Sequence, residues 1–318
     1  MDEEKDDPRR RIRGRATLAA LLAPVLLAAA ACDRDAPAPK PARRAAGGPP
    51  LRLGLLPEQN VFRQLERYEP IGVYLARHIG RPVRFRILGR YGNLIHNFRA
   101  LRLDGAFFGS FTYALARKKL GVEILARPEG LDGRSTYFGL LFARRDGGIR
   151  SARDMRGKRF VFVDRATTAG YLLPLAYFRQ HGITDPAAYF AETYFSGTHE
   201  DAIMDVLEGR ADVGAAKNTV FARMARENPA VERELRILAT SPEVPENGLA
   251  VRSDLDPALK RKLKDVLLGM AADPEGRRLL RAFGARRFIE TRDADYRPVY
   301  DYAALAGLDL EHYDYLND

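Results

Sequence analysis

The sequence holds a single cysteine, Cys32, and no tryptophan. One cysteine excludes an intrachain disulfide and any cysteine-built metal cluster. Catalytic spacings are missing too. There is no HExxH, no GxSxG, no GxGxxG, and no GxxxxGK followed by Ser or Thr, so zincin, α/β-hydrolase, dinucleotide and P-loop chemistry have no footing. Carboxylates are plentiful, but no pair is fixed by spacing for general acid–base work. His78, His96, His181 and His312 sit in helices or turns without metal-like intervals, so no metal or cofactor is expected. Blocks of like charge are absent as well. The formal charge of +10 is spread along the chain. With no C2H2 pattern, no RNP-like segment and no Arg-rich amphipathic helix, it points to an anionic ligand or surface and not to nucleic acid.

What is present begins with the N-terminus. Residues 1–15 are charged and end in RRRIRGR, and residues 16–31, ATLAALLAPVLLAAAA, are almost wholly apolar. A basic segment followed by a short apolar one is a signal-peptide arrangement, too short for a confident membrane span. Ala29, Ala30 and Ala31 lead into Cys32, and the whole resembles a bacterial lipoprotein signal, with Cys32 as the lipid-bearing first residue after cleavage. The pattern departs from such signals in that Ala29 stands where Leu is preferred. Asp33 resembles a signal for retention at the inner membrane. Residues 32–50, rich in Pro, Ala and Gly without periodicity, read as a flexible tether.

The rest alternates strand, loop and helix. Apolar runs at 51–56, 83–88, 105–108, 122–128, 160–163, 235–241 and 248–251 read as strands, VGAAKNTV brings another strand into a turn at Asn218, and apolar periodicity places helices after them. Pro70 and Pro174 fall inside two of the helices and predict a bend or break at each. The run TYFGLLFARRD at 136–146 separates two such sets, and the chain finishes in helices at 256–271 and 274–282. This pattern predicts an α/β protein of two lobes, each a mostly parallel sheet flanked by helices, with a ligand cleft between them. Lobe I comprises residues 51–136 plus 244–318, and lobe II residues 137–243.

Polar loops end the strands and open the helices. They are Pro57 to Asn60, Arg90 to Asn93, Gly109 to Tyr113, Asp164 to Thr168, and Lys217 to Thr219. In FVFVDRATTAGYLLPLAYF, Phe160 to Phe178, a strand stops at Asp164 and Thr167 and Thr168 stand at a helix mouth. Hydroxyls there lie beside unpaired N–H groups at the positive end of the helix dipole, which caps a helix and can also hold an anion. Several such loops facing one cleft would form an oxyanion pocket of neutral, oriented donors. His199, in SGTHEDAI at another helix start, is either a surface or capping residue or a donor to an anion. Lys217 is either a solvated lysine or an attractor for a charged ligand.

The segments PEQNVFRQLERYEPIGVYLARHIGRPVRF, GRYGNLIHNFRALRLDGAFFGSFTYA, VFVDRATTAGYLLPLAYFRQHGI and FSGTHEDAIMDVLEGRADVGAAKN, in this order, resemble the PhnD-like solute-binding proteins over residues 51–285. These are the phosphate, phosphite and phosphonate binders of ABC transporters. The resemblance implies a type II periplasmic-binding-protein fold that closes on a small phosphorus oxyanion and delivers it to an ABC permease. It implies that Thr167 and Thr168 hold the anion, that His199 contributes, that Tyr91 lines the pocket, and that Ser110, Phe111, Thr112 and Tyr113 approach the ligand. Where the best-known phosphonate binders carry an Asp that meets a ligand amine, this chain has Lys217 and Asn218, which leans toward phosphate, phosphite or another small oxyanion. The expected protein is a non-enzymatic monomer on the extracytoplasmic face, anchored by lipid at Cys32. Two other functions fit the same fold: a sensory lipoprotein partner of a membrane kinase, or an enzyme acting on a phosphorylated or thiamin-like substrate.

Overall fold

A computed structural model describes residues 48–317. The expected signal peptide, Cys32 and most of the expected tether lie outside the described residues. In chain order the strands are β1 (Leu51–Leu55), β2 (Val83–Ile87), β3 (Gly105–Phe108), β4 (Glu123–Gly130), β5 (Thr136–Tyr137), β6 (Gly139–Arg144), β7 (Arg159–Phe162), β8 (Glu192–Phe195), β9 (Val213–Lys217), β10 (Leu235–Thr240), β11 (Val244–Pro245), β12 (Gly248–Val251) and β13 (Ala285–Glu290). One sheet has the order β13-β4-β12-β3-β1-β2 and forms lobe I; another, β10-β6-β9-β7-β8, forms lobe II. A short antiparallel ribbon, β5 with β11, joins the two segments that cross between them.

The sheets are more mixed than the alternation suggests. The β1–β2, β1–β3, β7–β8 and β7–β9 pairs are parallel. The pairs made by β12, β13, β6 and β10 are antiparallel. The reason is the double crossing: a strand that has just entered or re-entered a lobe runs against those built by strand–helix–strand units.

Helix Val61–Ile79 shows how local sequence sets these units. The Asn60 side chain accepts from Phe62 N at 3.0 Å, and Gly80 closes the helix in the left-handed region at φ 73°. Tyr68, Ile71, Leu75 and Ile79, three or four residues apart, bury one face. Tyr68 meets Phe85, Phe107 and Phe283 edge-on. The helix runs through Pro70 without ending, so of the expected bend or break the break does not occur.

Pro174 is accommodated differently. Residues Thr168–Leu172 form one wide π-helical turn, and an α-helix, Leu173–Gln180, follows with Pro174 in its first turn. There the missing N–H costs least. The wide turn backs onto the preceding strand: Val163 N donates to Gly170 O at 3.1 Å. A Cβ on Gly170 would lie 2.4 Å from Val163.

Three strands, β8, β11 and β13, are not expected from the sequence. The C-terminal stretch ends by touching both lobes. Arg90 Nη1 donates to Asn317 O at 3.0 Å, Asn317 Nδ2 donates to Asp164 Oδ2 at 3.1 Å, and the Tyr313 hydroxyl donates to Arg165 O at 2.9 Å.

Candidate functional site

The loops at the carboxyl ends of β1, β3, β7 and β9 meet one another. Phe111 N, at the start of helix Ser110–Leu120 in lobe I, donates to Thr168 Oγ1 of lobe II at 2.8 Å. Thr112 Oγ1 donates to Ala166 O at 2.8 Å. The first loop of lobe I reaches across as well: Asn60 N donates to Glu200 Oε2 at 3.3 Å, and Arg223 Nη1 donates to Gln59. Arg63 pairs with Glu227 at 2.8 Å. The lobes are therefore closed on each other, around a cavity of about 850 Å³ whose walls include Glu58, Arg67, Lys217, Arg223 and Asn247.

Beneath these contacts lies a buried group of oxygen and nitrogen donors. Thr168 is 3% exposed and Ser110 fully buried. The hydroxyl of Tyr137, on β5, meets those of both. Tyr91, at the start of helix Tyr91–His96, stands edge-on to His199 with ring centroids 6.1 Å apart. Burial raises its phenol pKa well above the ordinary value, and its hydroxyl has no hydrogen-bond partner among the described residues. A buried, neutral, unpartnered donor is uncommon in a folded protein and calls for an acceptor.

His199 opens helix His199–Leu207, whose cap is Thr198. Its Nδ1 accepts from Lys217 N at 3.3 Å, which places the ring proton on Nε2. Burial drives its pKa down to about 3; Lys217 and Arg223 add to the drop, and Glu58 opposes it. The ring is a neutral donor.

Lys217 ends β9 and is 4% exposed. Its Nζ donates to Glu58 Oε1 at 3.1 Å, to Glu246, and to Asn247 Oδ1 at 3.4 Å. Burial works against both charges of the Lys217–Glu58 pair. Even so, Lys217 and Arg67 hold the Glu58 carboxyl down at about 2, and Glu246 and Glu58 keep the ammonium protonated.

The expected site residues therefore divide. Tyr91, Ser110, Thr168, His199 and Lys217 come together. Thr167 is buried beside them, but its hydroxyl donates to Asp164 O at 2.6 Å and closes the turn. Those of Ser110 and Thr112 likewise donate to backbone carbonyls, Pro245 O and Ala166 O. Phe111 contributes its N–H, while its ring packs near Tyr313 at 5.8 Å. Asn218 ties down the crossing segment, with Oδ1 accepting from Phe138 N at 3.1 Å. Tyr113 turns away: its hydroxyl donates to Asp293 at 2.8 Å and its ring meets Tyr296 at 4.4 Å. Two helical residues past Phe111, it faces the opposite side.

Glu58, Tyr137, Arg223, Glu246 and Asn247 also border this cluster, and sequence reasoning did not single them out. The usable signal was position: Glu58 stands in the loop after the first strand, and Tyr137 and Glu246–Asn247 lie on the two crossings, which border any cleft between lobes.

The family profile described as ABC transporter, phosphonate, periplasmic substrate-binding protein matches residues 53–296. The chain belongs to this family. This substrate-binding protein is 27% identical over 267 residues to the phosphate-import protein PhnD of Mycolicibacterium smegmatis, covering 80% of this chain and 82% of the relative. It is 23% identical to the phosphonates-binding periplasmic protein of Escherichia coli (strain K12), over 80% of this chain and 75% of that one. Its fold matches PhnD1 from Prochlorococcus marinus (MIT 9301), solved in complex with methylphosphonate, with a TM-score of 0.72 at 22% identity, over 80% of this chain and 97% of that one. A substrate-binding protein of an ABC transporter is not an enzyme, and it works outside the cytoplasm.

Proposed function

We propose that this protein binds a small phosphorus oxyanion (phosphate, phosphite or a phosphonate) between its lobes and delivers it to an ABC permease. The observation that carries the reading is the buried Tyr91 hydroxyl, without a hydrogen-bond partner among the described residues, beside the neutral His199 ring and the Thr168 hydroxyl. Neutral donors from both lobes suit a tetrahedral oxyanion, because each bond is charge-assisted by the ligand and no buried counter-charge is required. The relatives support it: one is named for phosphate import, one for phosphonates, and one is solved with methylphosphonate.

The moving units are residues 51–136 with 244–318 and residues 137–243, turning about the β5–β11 ribbon. The mature protein is a monomer that begins at a lipidated Cys32 and stays at the inner membrane. Mass spectrometry of the membrane-extracted N-terminus tests the lipid. Calorimetric titration with phosphate, phosphite and methylphosphonate tests the ligand: at least one should bind, and heat or thermal shift from none of them would end the proposal.

A further inference from the structure

We infer that the Lys217 ammonium is a built-in occupant of a cation subsite bordering the oxyanion site, and that it sets the cleft against ligands carrying an ammonium group of their own. The inference deepens the reading of this cleft as a phosphorus-oxyanion site and rests on it.

The surroundings of Nζ are those an ammonium ligand would require. Glu58 Oε1 at 3.1 Å, Glu246 and Asn247 Oδ1 at 3.4 Å accept its protons, and the Tyr137 ring face lies 4.3 Å from it. Three acceptors for three N–H donors, with an aromatic face beside them, is a complete ammonium site. The lysine does not hold it together. Asn247 Nδ2 donates to Glu58 Oε1 at 2.9 Å, and Asn247 N donates to Glu246 Oε1 at 3.0 Å. The acceptors are thus held by bonds of their own. Arg67 also acts on Glu58, so the two carboxylates face two cations with Lys217 in place, and removing the lysine shifts the subsite by one unit toward negative charge.

Tyr137 makes this subsite part of the cleft. Its hydroxyl meets Thr168 and Ser110, and its ring face meets Nζ. The oxyanion donors and the ammonium cage therefore stand one phenol ring apart, and one small molecule with a phosphonate at one end and an ammonium at the other could bridge them. In this chain the cationic end is already supplied by the protein.

The test uses the full chain and a pair that differs by a terminal ammonium, ethylphosphonate and 2-aminoethylphosphonate, in calorimetric titration. The native protein should bind ethylphosphonate at least about 10-fold more tightly. Lys217→Ala should reverse the preference, with 2-aminoethylphosphonate gaining at least about 10-fold relative to ethylphosphonate. Methylammonium should raise the thermal midpoint of Lys217→Ala and leave the native midpoint unmoved. If Lys217→Ala does not fold, Lys217→Gln, which keeps the chain and drops the charge, should lose the native discrimination. A native protein that takes both phosphonates equally, or a variant that still prefers ethylphosphonate, overturns the inference. Methylammonium stabilisation of Lys217→Ala with neither phosphonate bound would leave the cation subsite standing and remove the phosphorus reading.

Discussion

The neutral His199 makes acid sensitivity a measurable property of the cleft. Its Nδ1 already accepts from Lys217 N at 3.3 Å, so a second ring proton would point at an N–H. Burial, with Lys217 and Arg223 nearby, holds its pKa at about 3, against 6.5 for a free side chain. The folded value lies below the unfolded one, so protons favour the unfolded chain. The contribution of the neutral ring is complete above the free value and is lost as pH falls toward the folded one. At about pH 5 the unfolded ring is favoured by protonation roughly 30-fold, which is ~2 kcal/mol, and the ceiling near the folded pKa is ~5 kcal/mol. His199→Gln keeps a neutral donor and acceptor but cannot titrate. Urea unfolding of both proteins at about pH 8 and about pH 5 should show the native protein losing ~2 kcal/mol more than the variant. Equal losses would refute the argument, because they would mean that His199 can be charged where it sits.

Thr168→Val keeps the shape but strips the acceptor from Phe111 N, now at 2.8 Å; phosphonate or phosphate binding should weaken by ~1–3 kcal/mol in calorimetry. Tyr113→Phe loses only a bond to Asp293 and should leave that affinity unchanged; the opposite order would misplace the site. Gly170→Ala puts a methyl 2.4 Å from Val163 and should destabilise by ~1–3 kcal/mol, read as a lowered unfolding midpoint. Asp164 is 1% exposed, and burial lifts its pKa to about 6 despite bonds from the Ala166, Tyr91 and Gly92 N–H groups and the charge of Arg90. Its folded pKa exceeds the ordinary 3.8, so stability present at low pH is lost as pH rises through the folded value, by up to ~3 kcal/mol. Asp164→Asn should remove that slope from the pH profile, and identical profiles would show that the carboxylate ionises without penalty.

The strand at 160–163 and the helix mouth at Thr167 and Thr168 were legible because a short apolar run, a polar stop and an apolar period follow one another. The π-helical turn over Thr168–Leu172 was not, because one widened turn shifts the burial period too little to show in so short a segment. Strand β8 escaped because it is an edge strand whose residues, Glu192 to Phe195, are exposed or half-buried, leaving no apolar face to read. The direction of Tyr113 was not legible, because the resemblance covers the loop as a whole and does not say which way each side chain of the following helix turns. The cage around Lys217 joins residues 159, 29 and 30 positions apart. No local rule pairs a lysine with carboxylates at such separations, and only the closure of two lobes brings them together.

Sheet order carries a consequence for biosynthesis. Lobe II is one continuous stretch of chain, and its last strand, β10, ends at Thr240. Lobe I is split, and β12 lies in the middle of its sheet, between β4 and β3. As the polypeptide emerges across a membrane from its N-terminus, β1 to β4 arrive first but face each other across a gap. That gap is filled only after the whole of lobe II has followed. Lobe II can complete its sheet during export, whereas lobe I must wait with β4 unpaired on both edges and β3 on one. A stalled or prematurely cut chain ending before Gly248 would thus contain every strand of the second sheet and an unfinished first one.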